Sequence, residues 1–466
     1  KTRLKWNYAS SVKTKGELEI LGKMQTKRQG ELPKFLLEVQ PTQMYFSDSL
    51  WNVARSNIVV DTSSIAISNF SLYKDAKKIE IDGTVSEDKD DYLVISVENY
   101  DLQEVSTLIN NSKVRLSGPL HGTIRIKNMY ALPLIFADVQ SEAISFNDNV
   151  LGSLRIRSFW ENKSKAMVAH ASIKNGETDI LSLDGAYTPE TDSLSSDVTL
   201  TNLKLSTFGE IFYGTVNDIS GSVSGACTVN GKISDLSYSG ELTAKDGAIK
   251  VAYTNVPYTF SGKLKARNSR FSFSDFTLTD YMSNTATIHG FVDLKVIANP
   301  HYVIGIQSPK LIVMNTTAKD NDYFYGTIYY AGSARITGDL IETNISCNGK
   351  TLNNTAVSIP VTYSELSGQY DFLLFSADTT TVHNYQKTTS TSGLSLDLTI
   401  DVTPDALAQI IFDPKVGDII KACGIGNLQV KMDPSGDLKM YGKYEIYEGD
   451  YLFTLKNLIN KKLVIQ

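Results

Sequence analysis

The sequence is short of the residues that carry most chemistry. Its 466 residues include three cysteines, Cys227, Cys347 and Cys423, spaced too far apart for a zinc site or a disulfide framework. Each lies in or beside a strand-like run and reads as a small buried apolar residue. The five histidines (His121, His170, His289, His301, His383) have no metal-ligand spacing. Gly221 to Gly225 has Val223 where a nucleophile elbow needs serine, and Gly424-Ile425-Gly426 lacks the third glycine and helix of a dinucleotide site. The acidic groups Glu87, Asp88, Asp90, Asp91 and Asp320-Asn321-Asp322 follow no calcium-loop spacing and read as solvated hairpin tips. No catalysis, metal or cofactor is expected. There is also no basic block: Lys+Arg 45 against Asp+Glu 51 gives a net charge of −6, which argues against a nucleic-acid surface. Nor does any apolar run approach the ~20 residues of a membrane-spanning helix. The first residues, Lys1 to Trp6, lack a signal-peptide core, and the chain reads as an internal portion of a longer protein.

What is present is alternation. Leu394, Leu396, Leu398, Ile400 and Val402 interleave with Ser395, Asp397, Thr399 and Asp401, which marks a strand with one buried face. Ile219, Val223, Cys227, Val229 and Ile233 form another set, with serines and Thr228 opposite. Phe271 and Phe273 alternate with Ser272 and Ser274. Helical signals are few: Leu102, Val105, Leu108 and Ile109 fit one short face, and Leu205, Phe208 and Ile211 another. Thr403-Pro404-Asp405 suits a helix start, yet Ala406, Ala408, Ile410 and Phe412 also alternate, so that segment is open. The fold class is all-β with short helical turns only.

An apolar-x-Gly strand recurs at Ile81-Asp82-Gly83, Leu183-Asp184-Gly185 and Ile288-His289-Gly290, spaced by 102 and 105 residues. Ser117-Gly118-Pro119-Leu120-His121-Gly122 matches Ser220-Gly221-Ser222-Val223-Ser224-Gly225 at an offset of 103. A period this long implies several strands per unit in one growing sheet. The expected division is 1–115, 116–218 and 219–325 as three β repeat units and 326–466 as a C-terminal β region of the same continuous structure. With no helix long enough to cover it, the apolar face must close on itself, pack as a sandwich, or wrap an apolar guest.

The order of several C-terminal stretches resembles the TamB family (translocation and assembly module), especially its Bacteroidetes-type members, among the AsmA-like bridge-type lipid carriers. The resemblance runs over almost the whole chain. Its most distinctive residues are Gly393 to Ala406, Ile411 to Asp418, Gly424 to Leu428, Tyr441 to Tyr444 and Glu448 to Tyr451, with Tyr323 to Gly326 and Ala331 to Gly338 upstream. The resemblance implies a β-taco, an elongated U-shaped sheet with an apolar groove, on the order of 100 Å long if ~20–25 strands stack. It implies phospholipid acyl chains as cargo and an Omp85-type, TamA-like outer-membrane barrel as partner. It further implies a periplasmic, cell-envelope location and membrane contact through ends that are missing here. The groove-lining candidates are Ile79, Ile81, Ile219, Val223, Phe271, Phe273, Leu394, Leu396, Leu398 and Ile400. The alternatives are a scaffold for outer-membrane protein assembly without lipid transport, and an extracellular adhesin or carbohydrate-binding β-array with a closed core. Outer positions rich in Ser, Thr, Asp and Lys favour the conduit over the carbohydrate binder.

Overall fold

The computed structural model describes residues 2–9, 15–25, 33–46, 49–106, 115–131, 133–212, 216–296, 299–320, 324–360, 393–413, 418–435, 438–455 and 459–465. These residues are almost entirely strand, with short helical pieces at Leu102–Ser106, Pro189–Thr191 and Leu205–Phe212. Leu108 and Ile109 of the first helical face lie outside the described residues. The segment left open after Thr403 is a turn followed by the strand Leu407–Asp413, so alternation prevailed there. Ile233 sits in a turn, 61% exposed, beyond the end of its strand.

The chain groups into two compact units, one of Lys1–Tyr213, Ser220–Thr243 and Ala266–Asn268, the other of Gly214–Ile219, Ala244–Lys265 and Ser269–Gln466. In the first unit, long antiparallel strands pair with their sequence neighbours from Ala166–Asn175 through Thr178–Thr188 and Ser193–Lys204 to Val216–Lys232. Several strands are broken by the same device. Ser68-Asn69 oppose the single residue Asp82, Glu98-Asn99 oppose His121, and Thr201-Asn202 oppose Ser224. In each, the asparagine is left-handed (φ 56°, 51° and 51°) and the facing side chain accepts its N–H. Asparagine tolerates this conformation, and the extra residue bends the strand. A glycine follows each facing residue: Gly83, Gly122 and Gly225. Gly122 and Gly225, the pair offset by 103 residues in sequence, thus do the same job. Gly185 does not, since it lies in an unbroken ladder between Ala169 and Ser196.

The bends gather apolar side chains. Ile144, Leu151, Ile180, Leu203 and Val223 form a buried cluster, with Leu102, Leu205 and Phe208 of the helical pieces packed against it. Phe208 meets Phe146 edge-on at 5.7 Å between centroids. The helical pieces therefore cover one corner of the apolar face.

The second unit turns its corners differently. The strand Tyr325–Gly338 pairs over its Tyr330–Gly338 part with Thr343–Thr351 and over Tyr325–Thr327 with Ala356–Pro360. Those two short strands pair in parallel with Leu394–Val402 and Leu407–Asp413, and both of these meet the single strand Asp418–Met432. Buried threonines stitch the corner: the Thr403 N–H donates to Thr351 Oγ1 (2.9 Å), and Thr355 Oγ1 takes the Tyr329 N–H (3.1 Å). Asp280, also buried, accepts the backbone N–H groups of Ile312, Met282 and Asn284, each at 2.9 Å. Ile312 is completely buried, and its carbonyl takes the Tyr258 hydroxyl at 2.6 Å. Removing Asp280 strands a buried N–H, which costs about 1–3 kcal/mol. Asp280→Ala is therefore expected to lower the denaturant midpoint and to raise amide exchange around Ile312, while an unchanged midpoint would refute the role.

Candidate functional site

Directly opposed residues on paired strands point to the same face, so the register shows which side chains form continuous surfaces. In the second unit one such surface is apolar across eight strands. It runs from Phe276 to Ile288, Ile306 and Ala334, then through Cys347 and Leu398 to Val430 and Met440. A parallel row follows Ile304, Ile336, Ile345, Leu396 and Met432. The alternation in Leu394–Val402 thus becomes part of a ladder that no local pattern reveals, because Ile345 and Leu396 are far apart in sequence and pair in parallel.

Leu394, Leu398 and Ile400 are half-buried on this face, and Leu396 is 8% exposed. Ile336, Ile345 and Cys347 are also half-buried, while Arg335, Ser346 and Asn348 on the opposite face are exposed. A face packed against a second layer would exclude water from most of these side chains. Here they keep partial access to solvent. Phe271 joins the same face through Val292. Phe273 lies in the bulge before Phe276 and packs edge-on against it at 5.1 Å.

The remaining candidates belong to other surroundings. Ile79 and Ile81, in the first unit, pair with Val97 and Ile95. The row from Ile79 continues through Val97, Val139, Ile156, Leu183 and Val198 to Cys227. Val223 is 8% exposed in the buried cluster of that unit, and Ile219 is half-buried at the start of its strand. Sequence reasoning missed Ile304, Ile336, Ile345 and Val430, and it missed Tyr330, which interacts with Cys347 of the ladder. Tyr330 lies in the corner, its ring over the backbone of Gly349. Glycine opposite glycine (Gly332 and Gly349), next to a tyrosine, was the available signal.

Burial pushes the Tyr330 and Tyr258 hydroxyls well above the usual tyrosine range, with Cys347 and Asp280 adding to the effect. Tyr100 is pushed up to about 12, mainly by burial and then by Glu104 and Asp101. Burial also raises the Cys227 and Cys347 thiols, which keeps them protonated and apolar. The tyrosines set a pH limit. Their stabilisation is complete below the unfolded value of 10.0 and is lost as pH rises through the folded value, about 12 for Tyr100. Alkaline titration followed at the tyrosinate absorbance is expected to show late-ionising phenols whose release coincides with unfolding. Ionisation of all tyrosines near pH 10 in a folded chain would contradict this.

Among the described residues no group of His, Cys, Asp or Glu is placed to hold a metal ion. No helix among them is long and apolar enough to cross a membrane. Residues 274–466 match the family model of the TamB C-terminal domain. No curated protein matches, and no solved structure does. The matched span contains the whole apolar ladder from Phe276 to Met440. Over this span, its C-terminal part, the chain is similar to the C-terminal domain of TamB.

Proposed function

We propose that this chain carries phospholipid across the periplasm between the inner and outer membranes and works there with an Omp85-type barrel. The supporting observation is the apolar ladder of the second unit, in register across eight strands and still partly open. Acyl chains lie along Leu398, Ile345 and their neighbours while headgroups stay in water. Each CH₂ kept from water is worth roughly 0.8 kcal/mol, so a shielded path lowers most of the barrier to leaving a bilayer. A uniform ladder has no deep well to trap cargo, and such passage requires no catalytic step. The apolar row of the first unit, with Ile79 and Ile81, is assigned the same role, as are Phe271, Phe273 and Ile400. Val223 is assigned a supporting role under the first unit's row, and Ile219 and Leu396 a supporting role in the second unit.

The strand Leu438–Leu455 is paired from Leu438 to Leu452 on one side but on the other, among the described residues, only from Gly449 onward. Its open edge is where we place the barrel partner, which can add a strand by β-augmentation. The test of the lipid reading is extraction of the chain, purified from cells without detergent, followed by mass spectrometry. Co-purifying phospholipid is expected; a chain free of lipid would favour a protein-assembly scaffold instead.

A further inference from the structure

The face opposite the apolar ladder carries a second ladder. Thr287, Gln307, Ser333, Asn348, Thr399 and Gln429 are cross-strand partners in unbroken succession, and Tyr441 follows Gln429. Between Thr287 and Asn348, where Pro309 bulges from the register, the surface is hollowed into an open cavity of about 710 Å³. No ionisable side chain lines it. Thr287 Oγ1 donates to the Gln307 carbonyl. Among the described residues, the Gln307 and Asn348 carboxamides and the Ser333 hydroxyl bond to no other protein group, and all three residues are exposed.

The chemistry narrows the ligand. Without a charge the cavity has little to offer a phosphate or carboxylate, and its amides and hydroxyls need hydrogen-bonding partners that pure hydrocarbon lacks. It suits a neutral ligand rich in hydroxyls and amides, and its volume is that of a ligand site. Spacing narrows it further. Successive rungs stand ~4.8 Å apart, close to the rise of one sugar ring in an extended β-linked chain. Gln307 and Asn348 are separated by two strand spacings, about 10 Å. That matches the disaccharide period at which a β1→4 chain presents acetamido groups on one side.

We infer that this cavity binds an extended β1→4-linked chain of N-acetylated hexosamines lying across the strands. The Gln307 and Asn348 carboxamides pair with alternate acetamido groups, and Ser333 and Thr287 take ring hydroxyls. Tyr441, 54% exposed, supplies a ring face farther along the row. The inference uses the polar face alone and stands whether or not the apolar face carries lipid.

The experiment is a calorimetric titration of the full chain with the β1→4 hexamer of N-acetylglucosamine. Saturable binding is expected. The double variant Gln307→Ala, Asn348→Ala, with circular dichroism unchanged because both side chains are exposed, is expected to bind at least tenfold more weakly. Cellohexaose, which has hydroxyls in place of acetamido groups, is expected to bind at least fivefold more weakly than the acetylated hexamer. Absence of saturable binding, equal affinity in the double variant, or equal affinity for the two hexamers would overturn the inference.

Discussion

Leu398→Asp is expected to reduce the phospholipid recovered with the purified chain at least tenfold while leaving the fold intact. Leu398 lies on the apolar ladder between Cys347 and Val430. It is half-buried, so an aspartate there can keep part of its hydration in the empty protein. Once an acyl chain arrives, that water must leave, and stripping a carboxylate costs several kcal/mol. A loss of about 1.4 kcal/mol already corresponds to a factor of ten. Thr399→Asp is the matched control. Thr399 opposes Asn348 and Gln429 on the polar face, and its substitution is expected to change lipid recovery less than twofold. Full lipid loading of the folded Leu398→Asp protein would remove this residue from the groove.

Gly225→Val is expected to cost more stability than any surface change in the first unit, about 3 kcal/mol or more. Gly225 has φ +148°, and a Cβ built on it would lie 2.2 Å from the Glu241 carbonyl oxygen and 2.8 Å from the Leu242 Cα. Those atoms are backbone and cannot rotate away. Because Gly225 sits beside the Asn202 bulge, the damage is placed where the strand bends. Hydrogen exchange of Leu200 to Lys204 and Val223 to Cys227 should accelerate together. Gly209→Ala, where nothing lies within 4 Å of the added carbon, should change stability by no more than about 0.5 kcal/mol. Equal effects of the two substitutions would show that the bend does not depend on Gly225.

These residues also show where the sequence stops being informative. Alternation places Leu394, Leu396, Leu398 and Ile400 on one face because a strand sends successive side chains to opposite sides, a purely local rule. Which strand lies beside them is not local. The parallel partner Thr343–Thr351 is reached only across a long stretch of intervening chain, and nothing in the Leu394–Val402 pattern names it. The bends were half legible. The x-Gly landmarks at Gly83, Gly122 and Gly225 were visible, but the asparagines facing them, Asn69, Asn99 and Asn202, sit mid-strand and look like ordinary polar positions. The corner threonines Thr351, Thr355 and Thr403 were invisible for a similar reason, since a threonine in a β protein is unremarked until its hydroxyl is seen bonding backbone across a turn. The short helical faces were read correctly at Leu102, Leu205 and Phe208 because their packing partners lie within one amphipathic turn.

The most direct test of the groove is photocrosslinking in intact cells, with a photoreactive amino acid at Leu398 and, in a second strain, at Thr399. Leu398 is preferred to Leu396 because its half-buried side chain leaves room for the probe. Phospholipid adducts are expected at position 398 and none at 399. Equal adducts at both positions, or protein adducts alone at 398, would contradict an acyl-chain path along the apolar ladder.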